Sequence, residues 1–176
     1  MYLYGFEVLI SSIIYTTIYI LVSIITKTVF PSICFFIGFY LIRSISGGFH
    51  ANTYTACHIL YFANHIAFIG IIKLTPYCAI KAVTSTLLII SSALILIFAP
   101  VDHPNKPFIK NEKKRFRLIS TIYGILLLLV SALPFLINSE LILNTLQYIS
   151  IGSISAAVSL TIAKIQKERR KRHEEV

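Results

Sequence analysis

Hydrophobic residues are concentrated in six long stretches of the chain that contain no charged side chain. These stretches predict membrane-spanning helices at about 8–26, 28–42, 57–72, 82–101, 118–137 and 141–163. A helix needs about 20 apolar residues to cross a hydrocarbon core of about 30 Å, and the second and third stretches are shorter than that. The pattern therefore predicts an all-α, polytopic membrane protein with six transmembrane helices in a single membrane domain, residues 1–176.

The overall composition agrees with this class of protein. Hydrophobic residues make up 56% of the chain and charged residues 13%, with a mean hydropathy of +0.80. A soluble domain carries about 25% charged residues. The first stretch lacks the basic leading segment and the small-residue cleavage site of a signal peptide, so we expect it to remain in the mature protein.

Most of the net charge of +9 comes from two segments that border hydrophobic stretches. A loop at 102–117 and a C-terminal tail at 164–176 each carry six of the sixteen basic residues. Cytoplasmic loops are enriched in Lys and Arg, so both segments, both termini and the segment at 43–56 are predicted to lie in the cytoplasm. This distribution favours contact with anionic membrane lipids over binding of nucleic acid.

A polar segment at 43–57 separates the two shortest stretches. At about 1.5 Å per residue the second stretch would rise only about 22 Å, so we expect the polar segment to be recessed below the membrane surface. Non-helical backbone at such a depth is tolerated where protein buries it or where it lines a watery cavity. Gly47 and Gly48 would allow a tight turn there. The segment is therefore the candidate functional site.

His50 and Cys57 are the residues of this segment that can carry chemistry. On one continuous helix they would be separated by about 10 Å along the axis, too far for the contact of about 3 Å that proton transfer needs. Asn52 or Thr53 is a good N-cap, so a helix beginning there would leave His50 in the preceding loop, free to fold back. Cys57 would then lie near a helix N-terminus, where the macrodipole favours the thiolate.

The run Arg43-x-x-x-Gly47-Gly48-x-His50-Ala51, followed by Cys57, resembles the signature of the accessory gene regulator B (AgrB) family. Members of that family are bacterial membrane peptidases that mature quorum-sensing pheromones. The six stretches, the chain length and the basic loop after 99–102 are also similar to the family, so the resemblance covers essentially the whole chain. It implies a multi-pass protein of the bacterial cytoplasmic membrane, and we expect no cofactor and no metal.

The resemblance also implies which residues would act in the reaction of a cysteine peptidase. Cys57 would be the nucleophile and His50 the general base, with Arg43, Gly47 and Gly48 in support. Cys57 would attack the bond before the acidic C-terminal tail of an AgrD-like peptide precursor and form an acyl thioester. A thiol or hydroxyl of the precursor would then close a thiolactone or lactone ring.

Basic residues of the loop are candidates for contact with the acidic tail of that precursor. They are Lys110, Lys113, Lys114, Arg115 and Arg117. Topology and lipid contact explain the same residues equally well. Small residues in the sixth stretch, among them Gly152, Ser153 and Ala156, predict close helix packing within the bundle, with a homodimer seam as the alternative.

Other functions remain open from the residues alone. Polar residues between short segments also mark substrate sites in transporters, although charged residues within the stretches are absent here. Metal binding would use His50, Cys57, His58 and His65, with Asp102 and His103, but neither an HExxH motif nor a CxxC pair supports it. Asp102 is also a possible orienting partner for His50, and the sequence does not decide whether it acts so.

Overall fold

Helices account for most of the chain in the computed structural model, which describes residues 2–47, 54–101 and 110–174. Six of the helices in these ranges are long and one is short. They are α1 (Tyr2–Ile25), α2 (Val29–Ser46), α3 (Tyr54–Leu74), α4 (Ile80–Phe98), α5 (Lys110–Val130), the short α6 (Leu133–Leu136) and α7 (Glu140–Glu174). A 3-10 turn at Tyr77–Ala79 precedes α4. The prediction of an all-α protein is confirmed.

The number of membrane spans is supported in part. Five helical segments of the described residues are long and apolar enough to cross a membrane, within α2, α3, α4, α5 with α6, and α7. In α1, Leu9–Ile25 is a shorter apolar segment. The six predicted stretches thus correspond to six long helices, while six crossings and cytoplasmic termini stay a prediction.

The polar segment is shorter than the sequence predicted. Helix α2 continues through Arg43 to Ser46, and α3 includes Cys57, so both ends of the segment at 43–57 are helical. A cation in the last turn interacts favourably with the helix dipole, which explains why the charge of Arg43 does not end α2. With 18 and 21 residues, α2 and α3 extend about 27 and 31 Å. The short stretches therefore do not imply short helices, and the recessed position stays a prediction.

The predicted C-terminal tail is also helical, because α7 runs without a break through 35 residues. Its last part is rich in Lys, Arg and Glu, which are good helix formers. Lys164 and Glu168 form an ion pair of 3.4 Å at i, i+4 spacing, an arrangement that supports an isolated helix. The membrane helix therefore extends directly into the basic segment.

The centre of the bundle is the contact of α7 with α2 and α4. A Cβ atom added to Gly38 of α2 would collide with the backbone carbonyl of Ile149, and one added to Gly152 of α7 would collide with that of Phe35. Ala156 and Ala157 are buried on the same helix. The small residues of α7 therefore allow close packing within the bundle, as predicted.

Helices α1 and α3 lie at the side of this core. Apolar side chains of α1 are widely exposed, as in Leu9 at 56% and Ile13 at 57%, and suit contact with lipid tails. Tyr19 of α1 donates a hydrogen bond of 3.2 Å to the His58 carbonyl of α3, and the rings of Tyr15 and His58 stack at 4.1 Å. These contacts attach α1 to the part of α3 that carries Cys57.

Candidate active site

Gly47 ends α2 in a conformation and a space that suit no other residue. Its φ of 79° lies in the left-handed region, and its N–H donates to the Arg43 carbonyl at 3.2 Å. The Val101 N–H donates to the Ser46 carbonyl at 3.0 Å, and a Cβ on Gly47 would collide with the Val101 carbonyl oxygen. The chain after α4 is thereby joined to the end of α2.

Two of the predicted residues, Gly48 and His50, lie outside the described residues, as do the candidate caps Asn52 and Thr53. The proposed fold-back of His50 over Cys57 therefore stays a prediction. The same holds for Asp102, although Val101 before it lies against Gly47.

Cys57 is a free cysteine that is partly exposed on α3. It is the fourth residue of that helix as described. Tyr61 follows Cys57 by four residues on the same helix, so the two side chains are neighbours on one helix face. A tyrosine hydroxyl can donate a hydrogen bond to a neighbouring sulfur.

Arg43 reaches from α2 to both α3 and α7. Its guanidinium carbon lies 5.0 Å from the centre of the Tyr61 ring and 5.9 Å from that of Phe39. Its Nη1 donates a hydrogen bond of 3.1 Å to the Ser159 hydroxyl. Arg43 thus contacts Tyr61, the helical neighbour of Cys57, so the structure places two of the predicted residues near one side chain.

Sequence analysis did not identify Tyr61 and Ser159. The i, i+4 spacing of Tyr61 after Cys57 places them on the same helix face and was the only sequence signal for that pair. Ser159 follows Arg43 by 116 residues and appears only as one small residue among several in the sixth stretch. Its contact with Arg43 depends on how α2 packs against α7.

The two histidines of α3 pack against aromatic rings, and one of them also lies beside a hydroxyl. His65 is buried among Phe35, Phe36 and Phe68, and its Nε2 lies 2.9 Å from the Ser32 hydroxyl. His58 stacks on Tyr15. Within the ranges that the structure describes, no three His, Cys, Asp or Glu side chains converge on a common point.

A groove runs between α3 and α7 from the Arg43 cluster along the membrane-spanning part of the bundle. We call it the α3–α7 groove; its volume is about 470 Å³ and its lining is mainly apolar. Tyr61 and Ser159 belong to its walls. Further along, Asn64 of α3 donates a hydrogen bond to the Ser155 hydroxyl of α7 and bridges the groove.

A second cleft, of about 890 Å³, lies at the end of the bundle where α4 ends. We call it the basic cleft, because Lys113, Lys114 and Arg117 of α5 face Lys164 and Lys167 of α7 across it. The predicted group of basic residues is therefore divided, since Arg115 is exposed but does not line the cleft. The Lys110 side chain is outside the description.

Arg117 differs from the lysines of the basic cleft, because it binds the end of α4. Its guanidinium donates to the carbonyls of Ala99 and Leu96, the latter at 3.3 Å. Carbonyls at a helix C-terminus lack helical partners and are stabilised by such a cation. Two lysines from each helix also line the cleft, and one of them, Lys164, is paired with Glu168.

Comparison with known proteins identifies the family. The sequence profile of accessory gene regulator B matches residues 1–162. The chain is 25% identical over 130 residues to the accessory gene regulator protein B of Staphylococcus haemolyticus (strain JCSC1435), covering 73% of this chain and 68% of the relative. No solved structure matches significantly. The chain therefore belongs to the accessory gene regulator B family, which acts in the processing of quorum-sensing peptides.

Proposed function

We propose that this protein is a membrane cysteine endopeptidase that removes the acidic C-terminal tail of an AgrD-like peptide precursor and promotes closure of a thiolactone or lactone ring. The observation that carries the proposal is the position of Tyr61, which is the helical neighbour of Cys57 on α3 and is contacted by the Arg43 guanidinium of α2. It supplies a free thiol with a hydroxyl donor and a nearby cation at one end of the bundle.

In the proposed reaction the Cys57 thiolate attacks the carbonyl carbon of the peptide bond before the tail. His50 accepts the thiol proton and returns it to the nitrogen of the leaving tail. The product is a thioester between Cys57 and the precursor. A thiol or hydroxyl within the precursor then attacks that thioester, loses its proton to His50, and releases Cys57 as the ring closes.

Two groups near Cys57 could assist the attack. Tyr61 places a hydroxyl one helical turn from the cysteine, and the Arg43 guanidinium lies 5.0 Å from the centre of the Tyr61 ring. A hydrogen-bond donor and a cation beside the reacting centre stabilise negative charge that develops in the transition state.

The basic cleft is the proposed contact for the acidic tail. Lys113 and Lys114 were predicted for this task, and Lys164 and Lys167 face them from α7. Arg115 and Lys110 remain candidates for the same task. Arg117, which lines the basic cleft, binds the end of α4, and the Val101 to Ser46 hydrogen bond joins the chain after α4 to the end of α2. The basic cleft and the Gly47 turn therefore lie at one end of the bundle. We propose that this end faces the cytoplasm of a bacterial membrane, with six crossings.

Replacement of single cysteines tests the nucleophile. The protein would be co-expressed with a short AgrD-like precursor that has an amphipathic start and an acidic tail, and the products would be weighed by mass spectrometry. Cys57→Ala should lower tail release by about 10²-fold or more, since both the nucleophile and its acyl intermediate are lost. Cys78→Ala, at an exposed free cysteine, should process normally.

Membrane insertion of both variants would be confirmed by their yield in the detergent-extracted fraction. Normal tail release by Cys57→Ala would remove Cys57 from the mechanism. Trapping of the precursor as a thioester on wild-type protein, but not on Cys57→Ala, would support it directly.

A further inference from the structure

We propose that the α3–α7 groove binds the apolar peptide segment that stays attached to Cys57 after the tail has left. The inference rests on the proposed function, and it assigns substrate selectivity to side chains remote from the reacting sulfur. It concerns the residues of the precursor immediately before the cleaved bond.

The groove is continuous with the Cys57 cluster. Tyr61 is the helical neighbour of Cys57 and Ser159 accepts a hydrogen bond from Arg43, and both side chains also line the groove. Its lining on α3 extends from Leu60 to Ile71, which is about 16 Å along the helix. At about 3.3 Å per residue, an extended peptide of about five residues has that length.

The groove's chemistry suits a peptide with apolar side chains. Leu60, Ala63 and Ala67 are exposed in its lining, so they offer apolar contact without any rearrangement. Asn64 and Ser155 add an amide and a hydroxyl midway along the groove. A peptide backbone within the membrane needs hydrogen-bond partners, which an acyl chain does not. Polar groups among apolar walls therefore fit a peptide better than a lipid tail.

The position of the cleaved bond decides which part of the precursor can enter the α3–α7 groove. The tail is acidic, and transfer of a carboxylate into an apolar groove is strongly unfavourable. The segment before the bond has no such restriction and is joined to Cys57 in the thioester. The apolar groove is therefore the place for the acyl part, and the basic cleft is the place for the tail.

A peptide bound in the groove should also favour ring closure over hydrolysis of the thioester. A thioester held beside an apolar wall meets fewer water molecules, so attack by the internal nucleophile competes better against hydrolysis. We therefore expect variants with a poorly filled groove to release more linear, hydrolysed product for each ring formed.

The test uses wild-type protein and groove variants in liposomes with synthetic precursors. Two precursors are compared, and both have an amphipathic start, an internal cysteine and an acidic tail. One has Leu-Phe before the cleaved bond and the other has Ala-Ala. Ala67→Phe, about 15 Å along α3 from Cys57, should lower kcat/KM for the Leu-Phe precursor by about tenfold. Cleavage of the Ala-Ala precursor should change little.

Gly70→Phe is the matched control. It adds the same side chain to the same helix, at a position where a Cβ meets nothing within 4 Å and which does not line the groove. Both precursors should be cleaved at the wild-type rate. Val158→Ala, at a groove residue that is 45% exposed, enlarges the groove instead and should increase the preference for Leu-Phe.

The outcomes separate this inference from the function on which it rests. If wild-type protein releases no tail from either precursor, the proposed function fails. If tail release depends on Cys57 but Ala67→Phe and Val158→Ala keep the wild-type preference, the groove assignment alone is wrong. Loss of bound lipid from Ala67→Phe in native mass spectrometry, with unchanged cleavage, would likewise show that the groove holds lipid.

Discussion

Gly47 shows how a single residue connects two distant parts of the chain. Its positive φ and its contact with the Val101 carbonyl oxygen come from different causes, and each excludes a side chain. The family signature contains a glycine at this position. The structure supplies the physical reason, because α2 must stop here and the chain after α4 must pass within van der Waals contact of it.

Replacement of Gly47 by Ala should therefore destabilise the protein. A backbone with φ 79° and ψ −162° costs a residue with a Cβ about 1–3 kcal/mol, and the collision with Val101 adds to this. Unfolding in detergent, followed by circular dichroism, should give a lower Tm, together with slower tail release. Gly70→Ala is the control, since its Cβ enters open space and the change favours the helix by about 1 kcal/mol. Equal Tm values for the two variants would contradict the account of Gly47.

Residue type and spacing suggested Cys57 with His50, and the family resemblance added Arg43 and Gly47, but neither pointed to their neighbours. Arg43 and the glycines stand out in the sequence because they interrupt a hydrophobic pattern. Tyr61 and Ser159 interrupt nothing, since aromatic and small residues are common in membrane helices. Which of them meets Arg43 depends on the rotation of α3 and α7 about their axes, and a single sequence does not contain that information.

At the scale of the elements, the hydrophobic pattern predicted the position of each long helix in the described residues, but it did not predict where those helices end. A charged residue was taken to mark the start of a loop at Arg43 and again at Lys164. In both cases the helix continues, because a helix end favours cations and because Lys, Arg and Glu are good helix formers. Charge therefore predicts where a helix leaves the membrane, and not where it ends.

The close contact of α2 with α7 predicts that a larger residue at Gly152 will destabilise the protein. Gly152→Ala places a methyl group against the Phe35 carbonyl, which is backbone and does not move aside. Overpacking of this kind costs about 1–3 kcal/mol, so the Tm in detergent should fall. Gly124→Ala is the matched control, since its Cβ would come too close only to side-chain atoms of Leu96, while Ile95 would lie at an ordinary contact of 3.7 Å. A fall in Tm for Gly124→Ala as large as that for Gly152→Ala would show that the close helix contact is not the cause.

At the scale of the whole molecule, the functional groups gather at one end of the bundle. The end of α2, the end of α4 and the basic cleft are joined by the Val101 to Ser46 bond and by Arg117 on α4. Ser120 of α5 adds a bond of 3.3 Å to the Ile45 carbonyl. The predicted topology requires this grouping, because it places 43–56, 102–117 and 164–176 on the same side of the membrane.

Labelling of introduced cysteines tests which side of the membrane carries the basic segments. With the native cysteines replaced, Leu74→Cys at the opposite end of α3, where the residue is 83% exposed, should react with an impermeant maleimide added to intact cells. Arg170→Cys, on the basic part of α7, should react only after the membrane is permeabilised. The reverse pattern would place the basic segments outside and contradict the positive-inside assignment.

The unbroken length of α7 has a consequence for the substrate. Ser159 at the groove and Lys167 at the basic cleft belong to one helix, so their separation of about 12 Å is fixed. In a precursor that contacts both residues, this fixed distance corresponds to about three or four extended residues between the apolar segment and the first acidic side chain. The bond to be cut would then be chosen by distance as well as by local sequence.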